Sequence, residues 1–131
     1  MTILVPNTGE VAALTLFLSA NVTLKLYSND KTPAETDVAS DYTEVAGGGY
    51  TAKILSSGAW SIVAGAPSVA SYTYQDFSFS GPTNAPATMY GYFVVNGEGV
   101  LLWAERFTGG VLPITPVLGT LIRITPKISV S

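Results

Sequence analysis

Glu105 comes closest, by residue type and setting, to doing chemistry. It sits in Leu101-Leu102-Trp103-Ala104-Glu105-Arg106-Phe107 and shares the parity of Leu101, Trp103 and Phe107. Both faces of that segment are largely apolar, so the pattern predicts a partly buried carboxyl. Burial raises a carboxyl's pKa, as a glycosidase general acid requires. Glu98 and Asp76 are the available second carboxylates, and neither stands in a fixed relation to Glu105. The alternative is a structural pair with Arg123 or Lys53 on a neighbouring strand, because buried charges are normally paired.

Other constellations carry less. Asp37, Asp41 and Glu44 place oxygen ligands within eight residues, and calcium takes such ligands. Their spacing is not that of an EF-hand, and acidic loops are commonly just solvated. Gly47-Gly48-Gly49 lacks the Lys-Ser/Thr that follows a phosphate-binding loop and reads as a joint. The chain has no histidine and no cysteine. That removes the commonest general base, thiol nucleophiles, disulfides and zinc–thiolate sites. A Ser–Lys dyad is the remaining common way to activate a hydroxyl. Lys25, Lys53 and Lys127 all fall in expected strands with nothing to mark them. No catalytic residue, cofactor or metal is expected.

Composition points toward surfaces. Six basic and nine acidic residues give a net charge of −3. Neutralising phosphates needs a cationic surplus, so nucleic acid is not an expected partner. Only 11% of residues are charged, against about 25% in an ordinary domain. No apolar run approaches the ~20 residues of a membrane helix, so a membrane is not expected either. The first six residues lack the features of a signal peptide. So little charge does little to keep copies apart, and part of the surface is expected to be buried against other subunits.

The elements that must position these residues are mostly strands. Asn7 and Glu10 have capping-box spacing, and Leu14, Phe17 and Leu18 fall on one face, which predicts a short helix within Pro6–Ala20. Val22, Leu24 and Leu26 alternate with Thr23, Lys25 and Tyr27 as in a half-buried strand. Residues 34–48 form a polar loop holding four of the nine acids. Short strands follow at 50–55 and 59–63. Val69–Ser80 reads as one long strand with a phase slip near Gln75-Asp76, where a bulge would keep Tyr72, Tyr74, Phe77 and Phe79 on one side. Asn96-Gly97 between apolar runs predicts a hairpin with a type I′ turn. A last strand begins at Thr120 and is interrupted by Pro126. The sum is mainly β: one domain over residues 1–131, an antiparallel β-sandwich of jelly-roll type with one short N-terminal helix. Residues 1–20 form an arm and the helix, and 21–131 the sandwich.

Several of these blocks occur together in a known setting. Leu24-Lys25-Leu26-Tyr27-Ser28-Asn29-Asp30-Lys31-Thr32-Pro33, then Asp41 and Glu44, Gly49-Tyr50, Trp60, Tyr90-Gly91-Tyr92-Phe93-Val94, the Leu101–Phe107 block and Ile124-Thr125-Pro126-Lys127-Ile128 follow in order. In this order they resemble small structural proteins of tailed bacteriophages. The resemblance runs from about Pro6 to Val130. It implies a capsid decoration (cement) protein: a homotrimer on the outer surface of the virion, binding the major capsid protein and holding the shell together. It brings no catalytic residues. The interface candidates are Ile3, Leu4, Val5, Tyr27, Trp60, Trp103, Glu105, Arg106 and Arg123. Ile3, Leu4 and Val5 have no obvious local partner, so Met1–Pro6 is either an arm laid across a neighbour or a first strand of the sandwich. The competing reading is a tail-associated receptor- or carbohydrate-binding module with its Trp and Tyr rings lining a groove.

Overall fold

The computed structural model describes residues 3–110 and 112–131. The fold is mainly antiparallel β with one short N-terminal helix. Helix α1 spans Asn7–Phe17. The strands are β1 Val22–Tyr27, β2 Lys53–Leu55, β3 Ser61–Val63, β4 Ser68–Ser71, β5 Gln75–Ser78, β6 Gly91–Asn96, β7 Leu101–Arg106, β8 Leu121–Ile124 and β9 Lys127–Val130. They form a four-stranded sheet ordered β2-β1-β6-β7, a three-stranded sheet ordered β3-β4-β9, and the pair β5-β8.

The period-2 pattern of β1 sets the main core. Val22, Leu24 and Leu26 point to one face, where they meet Leu55, Tyr92 and Val94 of the flanking strands. Phe77 from β5, Phe79 just beyond it and Ile124 from β8 close this core from the other side. The opposite face of the same sheet is also covered. Tyr27, Phe93 and Val95 lie beneath Tyr42, which the 28–48 loop carries across them. Tyr42 stacks on Phe93 with ring centroids 5.3 Å apart and meets Tyr27 edge-on at 5.0 Å.

β4–β5 and β8–β9 are two long strands that bend at the same level. Ser71 pairs with Lys127 and Gln75 with Ile124. Tyr72, Thr73 and Tyr74 therefore face only Thr125 and Pro126, one residue in excess, which is the count of a bulge. The Tyr72 N–H donates to the Pro126 carbonyl at 3.0 Å and carries the ladder through the bend. The slip expected near Gln75-Asp76 thus lies just upstream, and it moves the chain from one sheet to another. Tyr72, Phe77 and Phe79 pack on the core, whereas Tyr74 turns outward, half exposed.

Two local expectations are corrected. The β6–β7 turn is not type I′, because Gly97 does not have a positive φ. Gly99 does, at 81°. The Asn96 side-chain carbonyl accepts from Glu98 N and Val100 N, at 2.9 and 3.0 Å, and shapes a four-residue loop with a left-handed Gly at its end. The second correction is the helix start. Asn7 and Glu10 form no capping box. Extended Pro6 precedes the helix, and its carbonyl accepts from Gly9 N and Glu10 N. Glu10 instead turns inward, 5% exposed, and accepts a 2.6 Å hydrogen bond from the hydroxyl of buried Ser68. Leu14 and Leu18 bury against Ala70, Ile62 and Ile128, which seats α1 on the three-stranded sheet. Phe17, expected on the same face, stays 45% exposed.

Two substitutions test this packing. Gly91 is where β6 passes closest to β1 and β7: a Cβ there would run into the Glu105 carbonyl and the Tyr27 ring. Gly91→Ala is expected to cost about 1–3 kcal/mol in urea unfolding, the range for overpacking. Ser68→Ala strips the buried Glu10 carboxyl of its donor and is expected to cost about 1–3 kcal/mol. Adding Glu10→Met to Ser68→Ala is expected to recover part of that loss, since removing both polar partners leaves nothing unsatisfied. A double variant less stable than the single would refute the role given to this pair.

Candidate functional surface

Glu105 is exposed, against the expectation of partial burial. It lies on an edge strand, and its side chain reaches the rim of the main core. There the Tyr92 hydroxyl donates to its Oε2 at 3.1 Å. Burial, and then the nearby Glu105 charge, push the Tyr92 phenol well above its usual range. The expected partners of Glu105 are engaged elsewhere. Arg123 donates from Nε and Nη2 to the two oxygens of Asp76, at 2.7 and 2.9 Å, and lies 3.8 Å over the Tyr74 ring. This bidentate pairing holds the Asp76 carboxyl below its ordinary range. Lys53 sits over the Phe77 ring at 5.5 Å. Glu98 is in the turn at the opposite end of β7 from Glu105. Glu98 is thus not placed to act with Glu105 across a bond, and Asp76 is held by Arg123, which lines the same hollow as Glu105.

The acidic loop uses its carboxylates as internal fasteners. Asp37 accepts from Lys31 Nζ at 2.7 Å, from the Tyr42 hydroxyl at 2.7 Å and from Ala34 N at 2.8 Å. The Lys31 and Tyr42 bonds, with Ala34 N behind them, hold its pKa at about 2. Asp41 Oδ2 accepts from Val38 N at 2.8 Å and closes a short turn. Glu44 takes the Tyr50 hydroxyl at 2.9 Å and lies 3.5 Å from Lys25 Nζ. Three acids near in sequence are thereby spread over three separate jobs. Among the described residues, no group of three His, Cys, Asp or Glu side chains could hold a metal ion. Gly47, Gly48 and Gly49 all have positive φ and lie against the 80–84 segment, so the triplet is a tightly packed crossing.

The remaining interface candidates fall into three groups. Tyr27 is fully buried and presents no surface; its hydroxyl donates to the Lys31 carbonyl at 2.9 Å, and burial pushes its phenol up to about 12. Its parity places it on the outer face of the sheet, which the loop covers. Arg106 is half-buried and clamps that loop, donating to Asp30 Oδ1 at 2.7 Å and to the Lys31 carbonyl at 3.2 Å. Trp60 and Trp103 are half-buried and meet edge-on, with ring centroids 6.3 Å apart. Tyr72 flanks Trp60 and Phe17 flanks Trp103. Both indole N–H groups are buried with no hydrogen-bond partner among the described residues. The two rings are packed into the protein more than they are displayed.

Ile3, Leu4 and Val5 form the third group, and they are on the surface: 81%, 88% and 45% exposed. Met1 and Thr2 of the expected arm lie outside the described residues. Ile3–Val5 belong to no strand, so the first-strand alternative does not describe them. Sequence reasoning missed the apolar surface farther along the helix. Leu16 and Phe17 are exposed on α1, and Ala13, Leu14, Phe17, Ile128 and Val130 line a groove of about 220 Å³ between α1 and β9. The signal was present in Ala12-Ala13-Leu14-Thr15-Leu16-Phe17-Leu18, which is apolar around more of the helix than one buried face needs. No helix among the described residues is long and apolar enough to cross a membrane.

Comparison of the chain with known protein families, curated proteins and solved structures gives no match.

The Asp37 geometry predicts an acid transition. A carboxylate with a depressed folded pKa adds stability above its unfolded pKa of ~3.9, and that stability is lost as pH falls through the folded value. The loop should therefore detach from the outer face of the sheet between about pH 4 and the folded value of about 2. Near-ultraviolet circular dichroism of the Tyr27–Tyr42–Phe93 cluster follows this directly. Asp37→Asn should abolish the step. A wild-type midpoint near pH 4 would show that Asp37 is not engaged as described.

Proposed function

We propose that this chain is a non-enzymatic structural subunit of a tailed-phage virion: a capsid decoration protein that binds the outer shell as a homotrimer. The observation that carries the reading is the apolar end of the molecule. Ile3, Leu4, Val5, Leu16 and Phe17 are exposed together with the groove beside α1. Large apolar side chains left uncovered at both ends of α1, with an apolar groove between helix and sheet, are the kind of surface that docking sites use. The chain has few charges, and four of its six cations are taken up in internal ion pairs. Docking would rest on buried area with little dependence on salt. A symmetric trimer would touch several shell subunits at once, so weak contacts add up.

The proposal includes a sandwich of jelly-roll type. It is supported by the single core that the four-stranded sheet shares with β5 and β8. Of the sequence blocks that resemble phage structural proteins, three overlap β1, β6 and β7 and one spans the bend at Pro126, while Asp41, Glu44, Gly49-Tyr50 and Trp60 lie outside the strands. The carbohydrate-binding alternative gains nothing from the tryptophans, whose rings pack on one another and on Phe17 and Tyr72.

Light scattering coupled to size exclusion tests the assembly. The expected mass is three times 13.7 kDa at micromolar concentration, falling toward the monomer on dilution to nanomolar. The trimer should then cosediment with shells of the cognate major capsid protein at both low and high salt. A monomer at every concentration that also fails to bind shells would overturn the reading, and saturable glycan binding by that monomer would replace it.

A further inference from the structure

We propose that the groove between α1 and β9 is the receptor for Ile3 and Leu4 of a second copy of this chain, so that each subunit gives its arm to the next. The inference rests on the assembly reading above and names the contact that would build the oligomer.

The groove is lined only by apolar side chains, those of Ala13, Leu14, Phe17, Ile128 and Val130. Its volume of about 220 Å³ exceeds the ~150 Å³ cavity that accepts a benzene-sized apolar guest. The arm matches it in chemistry. Ile3 and Leu4 carry no polar group and are 81% and 88% exposed, so both remain to be covered. Other hollows on the surface suit them less. The two beside β7 are bordered by Glu35 and Asp37 or by Asp37 and Ser40.

Chain geometry decides between the molecule's own arm and a neighbour's. Val5 packs against the first turn of the helix, close to Gly9. From Pro6, Ile3 reaches at most ~10 Å even when fully extended. Phe17, at the far end of the groove, lies eleven residues along α1, roughly 16 Å from Pro6. The near end at Ala13 lies only seven residues along, so a chain's own Ile3 can touch that end but cannot lie along the groove as far as Phe17, whereas the arm of a second copy can. β9 supports the same conclusion. Among the described residues it pairs with β4 alone, which leaves its other edge without a strand partner for an extended segment to join. Donor and acceptor are different patches, so the contact is head-to-tail, and such contacts close into rings.

The absence of native cysteine makes the test clean. Leu4→Cys and Ala13→Cys, both at exposed positions, are prepared separately, mixed and treated with a short bismaleimide. The expected result is a covalent dimer in the mixture and in neither variant alone. The doubly substituted chain should give a covalent trimer. Leu4→Asp should weaken self-association roughly tenfold or more. Leu118→Asp, equally exposed at the other end of the β4–β5/β8–β9 ribbon, should not. If the mixture gives no more dimer than a Thr108→Cys control while the wild type is oligomeric, the arm assignment falls and the assembly reading stands. If the double variant links only within one chain, the arm binds its own groove and the inference falls. If the wild type is a monomer at micromolar concentration, the arm assignment falls, and the assembly reading falls with it when that monomer also fails to bind shells.

Discussion

The fold depends on covering both faces of the β2-β1-β6-β7 sheet without a second helix. The inner face meets Phe77, Phe79 and Ile124, an ordinary apolar core. The outer face carries Tyr27, Phe93 and Val95 and would be wet without the 28–48 loop. That loop brings Tyr42 as its main apolar cover, so it must be held down by polar bonds. Asp37 to Lys31, Tyr42 and Ala34, Asn29 to Thr43 N and the Asp41 carbonyl, and Arg106 to Asp30 supply them. Asp37, Asp41 and Glu44 are each engaged in holding this loop in place. Backbone pairing finishes the attachment, with Val45 N on the Leu26 carbonyl and Ser28 N on that of Thr43.

The other half of the molecule follows from one excess residue. Three residues facing two at Tyr72–Tyr74 and Thr125–Pro126 bend a long two-stranded ribbon. Its β5–β8 part closes the main core and its β4–β9 part carries α1. Helix α1 is then fixed by Leu14, Leu18 and the Glu10–Ser68 hydrogen bond, and its remaining apolar residues face outward. The exposed end is a consequence of the bend and of a helix with more apolar residues than a single face can bury.

Strand periodicity made much of this legible. β1 lies where the alternation of Val22, Leu24 and Leu26 places it, and the excess residue in the Val69–Ser80 segment shows in the parity change from Tyr72 to Phe77. What could not be read was where polar side chains go. Glu10 stands at capping-box spacing, but no local pattern tells that Ser68, 58 residues away, will supply its donor. Glu105 looked buried because both faces of β7 are apolar. Whether an edge strand is covered depends on what lies beside it, which parity does not encode. Tyr27 was legible as a strand residue and illegible as core, because the loop that buries it has no periodic signal. Ile3, Leu4 and Val5 stood out as unpartnered and are exposed, and the groove farther along the helix is a tertiary feature assembled from α1 and β9.

The central claim is that this chain's polar side chains hold the fold while its apolar end does the docking. Amide hydrogen exchange, compared at micromolar and nanomolar concentration, tests both parts at once. The account predicts that Tyr42 and Val45, whose N–H groups bond to the Ala39 and Leu26 carbonyls, are protected equally at both. It predicts that β9 and the exposed side of α1 gain protection only in the concentrated sample. Fast exchange at Tyr42 and Val45, or concentration-dependent protection confined to the β7 edge or the 28–48 loop, would contradict it.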